Sequence, residues 1–222
     1  MVKTLVNISY CCDHAKGADP ERAWHLPAQE HAEWLEKACD LYLDDGFDAI
    51  VSCTGFHGMI NVNNSRTSYE RDVMWRIARK VRTIVGCPQN PGHQVGAALC
   101  IRQGLEAASK FGYDVMIHTA EDVVPRKHVL GDMTEMCGIV GYRYYGSIWG
   151  PKRDQLNAQF FACRVNDLVG PWDAAAVTGY GCIEAYLASL LDFDDCLDVE
   201  NYYRTTHDHS EWTRWAEEYK RG

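Results

Sequence analysis

Between Asn90 and Pro125 the chain spaces its polar residues as a phosphate-binding metal site requires. The segment opens Asn90-Pro91-Gly92-His93, a polar turn in which Asn90 suits a helix N-cap and Pro91 the first helical position. It closes with an apolar stretch, Tyr113-Asp114-Val115-Met116-Ile117-His118-Thr119, followed by Ala120-Glu121-Asp122. In open α/β sheets, ligands bind outside the carboxyl ends of strands. A hard divalent cation takes oxygen ligands of this kind and binds phosphate oxygens at the same time. Asp122 is the leading ligand. Glu121 is either a second ligand or a group that orients a substrate hydroxyl. His93, near a helix N-terminus, is placed either to approach a phosphate or to pack in the core. The chemistry expected of this stretch is the binding of a nucleotide diphosphate.

Such residues need a sheet to present them. Residues 4–9 read as a first strand. A helix over 27–45 carries Leu35, Ala38, Cys39 and Tyr42 at three- and four-residue spacing, and Gly46 stops it. Residues 47–53 read as a buried strand ending at a Thr54-Gly55 turn. The pattern then predicts a helix over 67–86, with Thr67 and Glu70 as a capping box and Val73, Ile77, Val81 and Ile84 as its buried face. A further helix, with Val95, Ala98, Ile101, Leu105 and Ala108 inward, runs from Asn90 to Gly112. Strand alternating with helix implies a parallel sheet with crossovers. Beyond Pro125 the pattern is mixed. Short strands are expected at 137–141, 147–149 and 158–164, and helices at 183–191 and 211–221, the last capped by Ser210. With no repeat and no linker, the chain is read as one domain.

Composition excludes several classes. The net charge of −9 argues against a nucleic-acid partner, which needs a basic surface. Arg76, Arg79, Lys80 and Arg82 are read as the solvated face of an amphipathic helix. No apolar run is long enough for an integral membrane segment, and the N-terminus lacks the pattern of a secretory signal. The ten cysteines form no CxxC pair, so no zinc-site spacing is present. Cys53, Cys100, Cys137 and Cys163 are expected as small buried hydrophobes, and reduced thiols place the protein in a cytoplasm. Cys11-Cys12, just after the first strand, is expected to be structural too.

Residues 90–125 resemble the core of glycosyltransferases with the nucleotide-diphospho-sugar-binding (GT-A) fold. In that family an Asn-x-Gly helix start precedes a strand that ends in Asp-x-Asp, an apolar residue and a proline. Here the corresponding residues are Ala120-Glu121-Asp122-Val123-Val124-Pro125. Asp122 matches the second aspartate and Ala120 stands at the first. Asn157-Ala158-Gln159-Phe160-Phe161-Ala162-Cys163-Arg164 is similar to the strand before the family's acceptor region. Gly170-Pro171-Trp172-Asp173 and Gly179-Tyr180-Gly181-Cys182-Ile183-Glu184 are similar to its Gly-x-x-Glu-Asp segment, with Glu184 at the acidic position and Ala185 at the second.

The resemblance covers about half the chain. It implies a single GT-A-like α/β domain over 1–222, with a mostly parallel central sheet flanked by helices and a mixed second half. Residues 1–125 would bind the nucleotide and 126–222 the acceptor. It implies a nucleotide-diphosphate sugar as donor, a carbohydrate or other hydroxyl as acceptor, and Mn²⁺ or Mg²⁺ as cofactor. Ser9, Tyr10 and Thr54 end the first two strands, at the edge that holds base and ribose in this architecture. The family often supplies a late histidine to the metal. His209 is the first choice and His207 the second, although the same spacing fits an exposed loop. Glu184 is the candidate general base for an acceptor hydroxyl, with Asp173 in reserve. Trp149 and Trp172 are candidates to stack a sugar ring.

Two other readings compete. A nucleotidyltransferase that makes sugar nucleotides would show a glycine-rich basic loop after the first strand, whereas this chain has Cys11-Cys12-Asp13-His14-Ala15-Lys16-Gly17. A non-catalytic nucleotide-sugar-binding domain would keep the fold without the first aspartate.

Overall fold

The computed structural model describes residues 2–11, 28–54, 65–87, 93–150, 152–206 and 208–221. The first half runs β1 (Thr4–Cys11), α1 (Ala28–Asp44), β2 (Asp48–Thr54), α2 (Ser65–Ala78), β3 (Thr83–Cys87), α3 (His93–Phe111) and β4 (Val115–Ala120). The second half runs β5 (Val123–Pro125), α4 (Val129–Glu135), β6 (Tyr144–Gly146), β7 (Ile148–Trp149), β8 (Gln155–Leu156), β9 (Phe160–Arg164) and α5 (Val165–Leu168). It ends with α6 (Ile183–Ser189), β10 (Cys196–Asp198), β11 (Tyr203–Thr205) and α7 (His209–Arg221).

Seven strands form one sheet in the order β10-β6-β9-β4-β1-β2-β3. The block β4-β1-β2-β3 is parallel. β9 runs antiparallel to both β4 and β6, which makes the second half mixed. Helices α1, α2 and α4 cover one face, and α3, α5 and α6 the other. Strands covered on both faces need apolar residues on both, so they read as continuous apolar runs. β2 shows this directly, with every residue after Asp48 buried. The expected stripe of α1, Leu35, Ala38, Cys39 and Tyr42, is buried in full, and Gly46 adopts a left-handed φ of 84° just beyond it.

A seven-stranded, mostly parallel sheet flanked by helices is thus the α/β architecture expected from sequence, with local corrections. The helix expected over 67–86 ends at Ala78, and its last part is β3. Val81 and Ile84 fall at helical spacing from Ile77, but Thr83-Ile84-Val85 is a β-branched run, and it pairs along β2 from Ile50↔Thr83 to Thr54↔Cys87. Residues 137–141 are no strand. Met136–Val140 is a wide helical turn continuing α4, which turns Cys137 inward and leaves Ile139 72% and Val140 58% exposed. The cap of α7 is Asp208 rather than Ser210. Its Oδ1 accepts from the Ser210 and Glu211 backbone N–H groups at 2.8 and 3.1 Å. β10, β11 and α4 were not legible from periodicity. Among the described residues no helix is long and apolar enough to cross a membrane.

Candidate active site

The parallel strands β1, β2, β3 and β4 all end at one edge of the sheet, and α3 starts there. β4 ends at Ala120, so Glu121 and Asp122 form the turn into β5 at that edge. β5 pairs antiparallel with β11, Val123 opposite Thr205. β9 starts opposite the end of β4, Phe160 beside Thr119. Three separate segments therefore meet at Asp122.

Hydrogen bonds close that meeting point. Gln159 Nε2 donates to both oxygens of the Asp122 carboxylate at 3.3 Å and lies 3.2 Å from Thr205 Oγ1. Thr205 Oγ1 donates to Asp122 Oδ2 at 2.9 Å. Behind this ring, Asn157 Oδ1 accepts from the backbone N–H groups of Gln159 and Phe160, at 2.8 and 3.3 Å. Asn157 Nδ2 donates to Tyr203 Oη at 2.7 Å and to Ser147 Oγ at 3.2 Å. On the other side, Tyr42 Oη and Thr119 Oγ1 are 3.0 Å apart in the buried layer beneath.

The electrostatics single out Asp122. Burial first, and then the negative charge of Glu121, push its carboxyl up to about 6, against the lowering effect of the Thr205 and Gln159 donors. Strongly shifted carboxyls cluster at functional sites. A half-buried acid held next to a second acid is also a donor set that a hard cation would relieve. Among the described residues, no three His, Cys, Asp or Glu side chains converge in a closed metal cage. An open site of one or two carboxylates, completed by water and substrate phosphate, is the usual arrangement for Mg²⁺. Asp122 and Glu121 fit that kind of site.

The other expected residues divide. Glu184 sits half-buried in the first turn of α6. The Ile183 backbone N–H beside it donates to Gln94 Oε1 at 2.9 Å, tying this end of α6 to the N-terminus of α3 at the strand-end edge. Asp173 also lies against α6, its backbone N–H donating to Tyr186 Oη at 2.6 Å. Its Oδ1 accepts from Ala175 N at 3.0 Å, in an exposed turn on the flank of α3, where Trp172 Nε1 donates to Ala98 O. Trp172 is buried by that contact, while Trp149 is 51% exposed. Ser9 Oγ donates to Thr119 O at 3.1 Å, and Thr54 is buried at the end of β2. Tyr10 is packed into the core on the α1 side. His209 opens α7 with its ring edge-on to Trp34 at 5.6 Å and its Nε2 3.3 Å from Lys37 Nζ. Asn90 and His207 lie outside the described residues, as does the loop after Cys11. His93 begins α3, with its side chain likewise outside them.

Sequence reasoning missed Gln159, Thr205 and Asn157. Tyr203 and Thr205 lie two residues apart in β11 and so share a face, but Asn157 and Gln159 sit in a bend before β9 that Asn157 Oδ1 caps, where no periodicity marks them.

No protein-family model matches the chain, and no curated protein sequence matches it. Solved structures of similar fold include a protein described as a nucleotide-diphospho-sugar transferase from Desulfovibrio desulfuricans G20, 9% identical, with 90% of this chain and 80% of that one covered at a TM-score of 0.49. A 4-diphosphocytidyl-2C-methyl-D-erythritol synthase is 12% identical, with 97% of both chains covered at 0.49. A UDP-glucose pyrophosphorylase complexed with UDP-glucose is 9% identical, covering 100% of this chain and 99% of that one, also at 0.49. These likenesses concern the course of the chain alone. At this level of similarity they do not bear on the reaction.

Proposed function

We propose that the protein is a glycosyltransferase that moves a sugar from a nucleotide diphosphate to a hydroxyl acceptor. The observation that supports this reading is Asp122. It is a carboxylate held at the end of a central parallel strand, beside Glu121, with its proton affinity raised to about 6 by burial and by that neighbour. Asp122, with Glu121 beside it, would hold Mn²⁺ or Mg²⁺. Bound there, the cation would act as a Lewis acid that neutralises charge on the diphosphate. Glu184, in the first turn of α6, would accept the proton of the attacking hydroxyl; Gln94 ties this end of α6 to the start of α3. Asp173, on the flank of α3, is the weaker candidate for that role.

The reading is tested by a thermal-shift screen of nucleoside diphosphates and their sugars, with and without Mn²⁺, followed by product analysis. A ligand that binds only the folded state raises apparent stability by mass action. A metal-dependent shift with the wild type, lost in Asp122→Asn, is expected, with release of nucleoside diphosphate when an acceptor is supplied. Formation of nucleoside triphosphate from a sugar nucleotide and pyrophosphate would assign a nucleotidyltransferase instead. Binding without turnover would make the chain a nucleotide-sugar-binding domain. No binding by any of these ligands would overturn the proposal.

A further inference from the structure

The ring around Asp122 has a fixed polarity. Gln159 Nε2 carries two hydrogens. One faces the two carboxylate oxygens and the other faces Thr205 Oγ1. The Thr205 hydroxyl accepts from Gln159 and spends its own hydrogen on Asp122 Oδ2. Gln159 and Thr205 thus each direct one hydrogen at Asp122, which can only accept.

The ring is also held from behind. The segment 157–159 and the strand β11 form a two-rung side-chain ladder. Asn157 Nδ2 meets Tyr203 Oη at 2.7 Å, and Gln159 Nε2 meets Thr205 Oγ1 at 3.2 Å. Asn157 Oδ1 fixes the Gln159 backbone at 2.8 Å, and Asn157 is itself buried. The Asn157 carbonyl accepts from Tyr144 Oη at 3.0 Å.

We propose that Gln159 and Thr205 are positioning residues that set the orientation of the Asp122 carboxylate for a cation carrying a diphosphate. This rests on the function proposed above. Neither residue touches substrate in this reading. They act through Asp122, as the hydrogen-bonded partners of metal ligands do, and loss of such partners weakens metal affinity about 10–100-fold.

The test uses the full-length protein, calorimetry, and Mn²⁺ with inorganic pyrophosphate as the probe. The variants are Gln159→Met, Thr205→Val and the conservative Thr205→Ser, each alone and combined with Asp122→Asn. Thr205 is exposed, so its substitutions leave the fold intact even if Gln159→Met does not. Gln159→Met and Thr205→Val are expected to weaken probe binding about 10–100-fold. Thr205→Ser, which keeps the hydroxyl, should restore it to within about threefold of the wild type. In the Asp122→Asn background, Gln159→Met and Thr205→Val should have no further effect, because the residue they act through is gone. Thr205→Val binding as tightly as the wild type, or losses that simply add to that of Asp122→Asn, would overturn the proposal. A wild type that binds no Mn²⁺-pyrophosphate at all would remove the metal reading itself, and the positioning role with it. A wild type that binds, with Asp122→Asn defective and Thr205→Val normal, would leave the functional reading standing and sink only the role of the ring.

Discussion

Replacing Asp122 with asparagine should make the metal-free protein more stable at neutral pH. In the unfolded chain Asp122 ionises near its ordinary value of 3.8, and in the folded chain near 6. Between those values the unfolded chain has released a proton that the folded chain keeps, so rising pH favours unfolding. The stabilisation given by protonated Asp122 is complete below about pH 3.8 and gone above about pH 6. A displacement of about two pH units at 1.36 kcal/mol each amounts to about 3 kcal/mol. Asparagine does not titrate, and its carbonyl still accepts from Gln159 and Thr205. Titration of carboxyls remote from Asp122 is common to both proteins and cancels in the difference; the neighbouring Glu121 is the exception, because its charge acts on Asp122. The variant's advantage should therefore grow by up to about 3 kcal/mol between about pH 4 and pH 7. Urea unfolding in EDTA across that range reads it directly, through the fluorescence of buried Trp34 and Trp212. A difference that stays constant with pH would refute the reasoning, as would a variant less stable than the wild type at neutral pH.

Three further expectations follow from other contacts. Gly104 lies where α3 crosses β1, and a Cβ there would come within 2.3 Å of Asn7 Nδ2 and 2.9 Å of Met116 Sδ. Gly104→Ala should thus destabilise by about 1–3 kcal/mol in urea unfolding, although the same change in an open helix stabilises by about 1 kcal/mol. His118 is buried with its Nδ1 2.9 Å from Asn7 Nδ2, and burial pushes its pKa down to about 3. The folded state therefore keeps it neutral, and the stability this gives is present above about pH 6.5 and lost as pH falls toward 3. His118→Gln, which has no titrating group, should lower the slope of stability against pH in that window by about 1.4 kcal/mol per unit, and an unchanged slope would count against it. Glu184→Gln should reduce sugar transfer by roughly 10²–10⁴ while donor affinity barely changes, because the charge it removes serves the acceptor. Joint loss of donor binding and transfer in a kinetic assay would deny it the role of base.

The parallel half of the fold was legible in the sequence because its signals are local. β1 and β2 are buried on both faces and read as apolar runs, and α1 and α3 carry stripes at helical spacing. The boundary between α2 and β3 was not, because Ile77, Val81 and Ile84 satisfy a helical period while Thr83-Ile84-Val85 satisfies a strand. Only the vacancy beside β2 decides between them. Likewise the turn at Met136–Val140 carries residues of high β-propensity, and its attachment to α4 makes it helical.

The same division runs through the site. The sequence alone determined that an acidic residue, Asp122, follows an apolar strand, since strand, turn and acid are contiguous. It could not determine what surrounds that acid. Gln159 is 37 residues away and Thr205 is 83, and no periodicity spans such distances. They reach Asp122 because β9 runs antiparallel to β4 and β11 antiparallel to β5, and sheet register is a property of pairing partners rather than of either strand. His209 shows the converse. Its position in the chain suited a metal ligand, and only the packing of α7 on α1 shows that its ring lies beside Trp34 and Lys37. Residue type and spacing gave the chemistry of the strand end, and the tertiary pairing of distant segments decided which side chains share it.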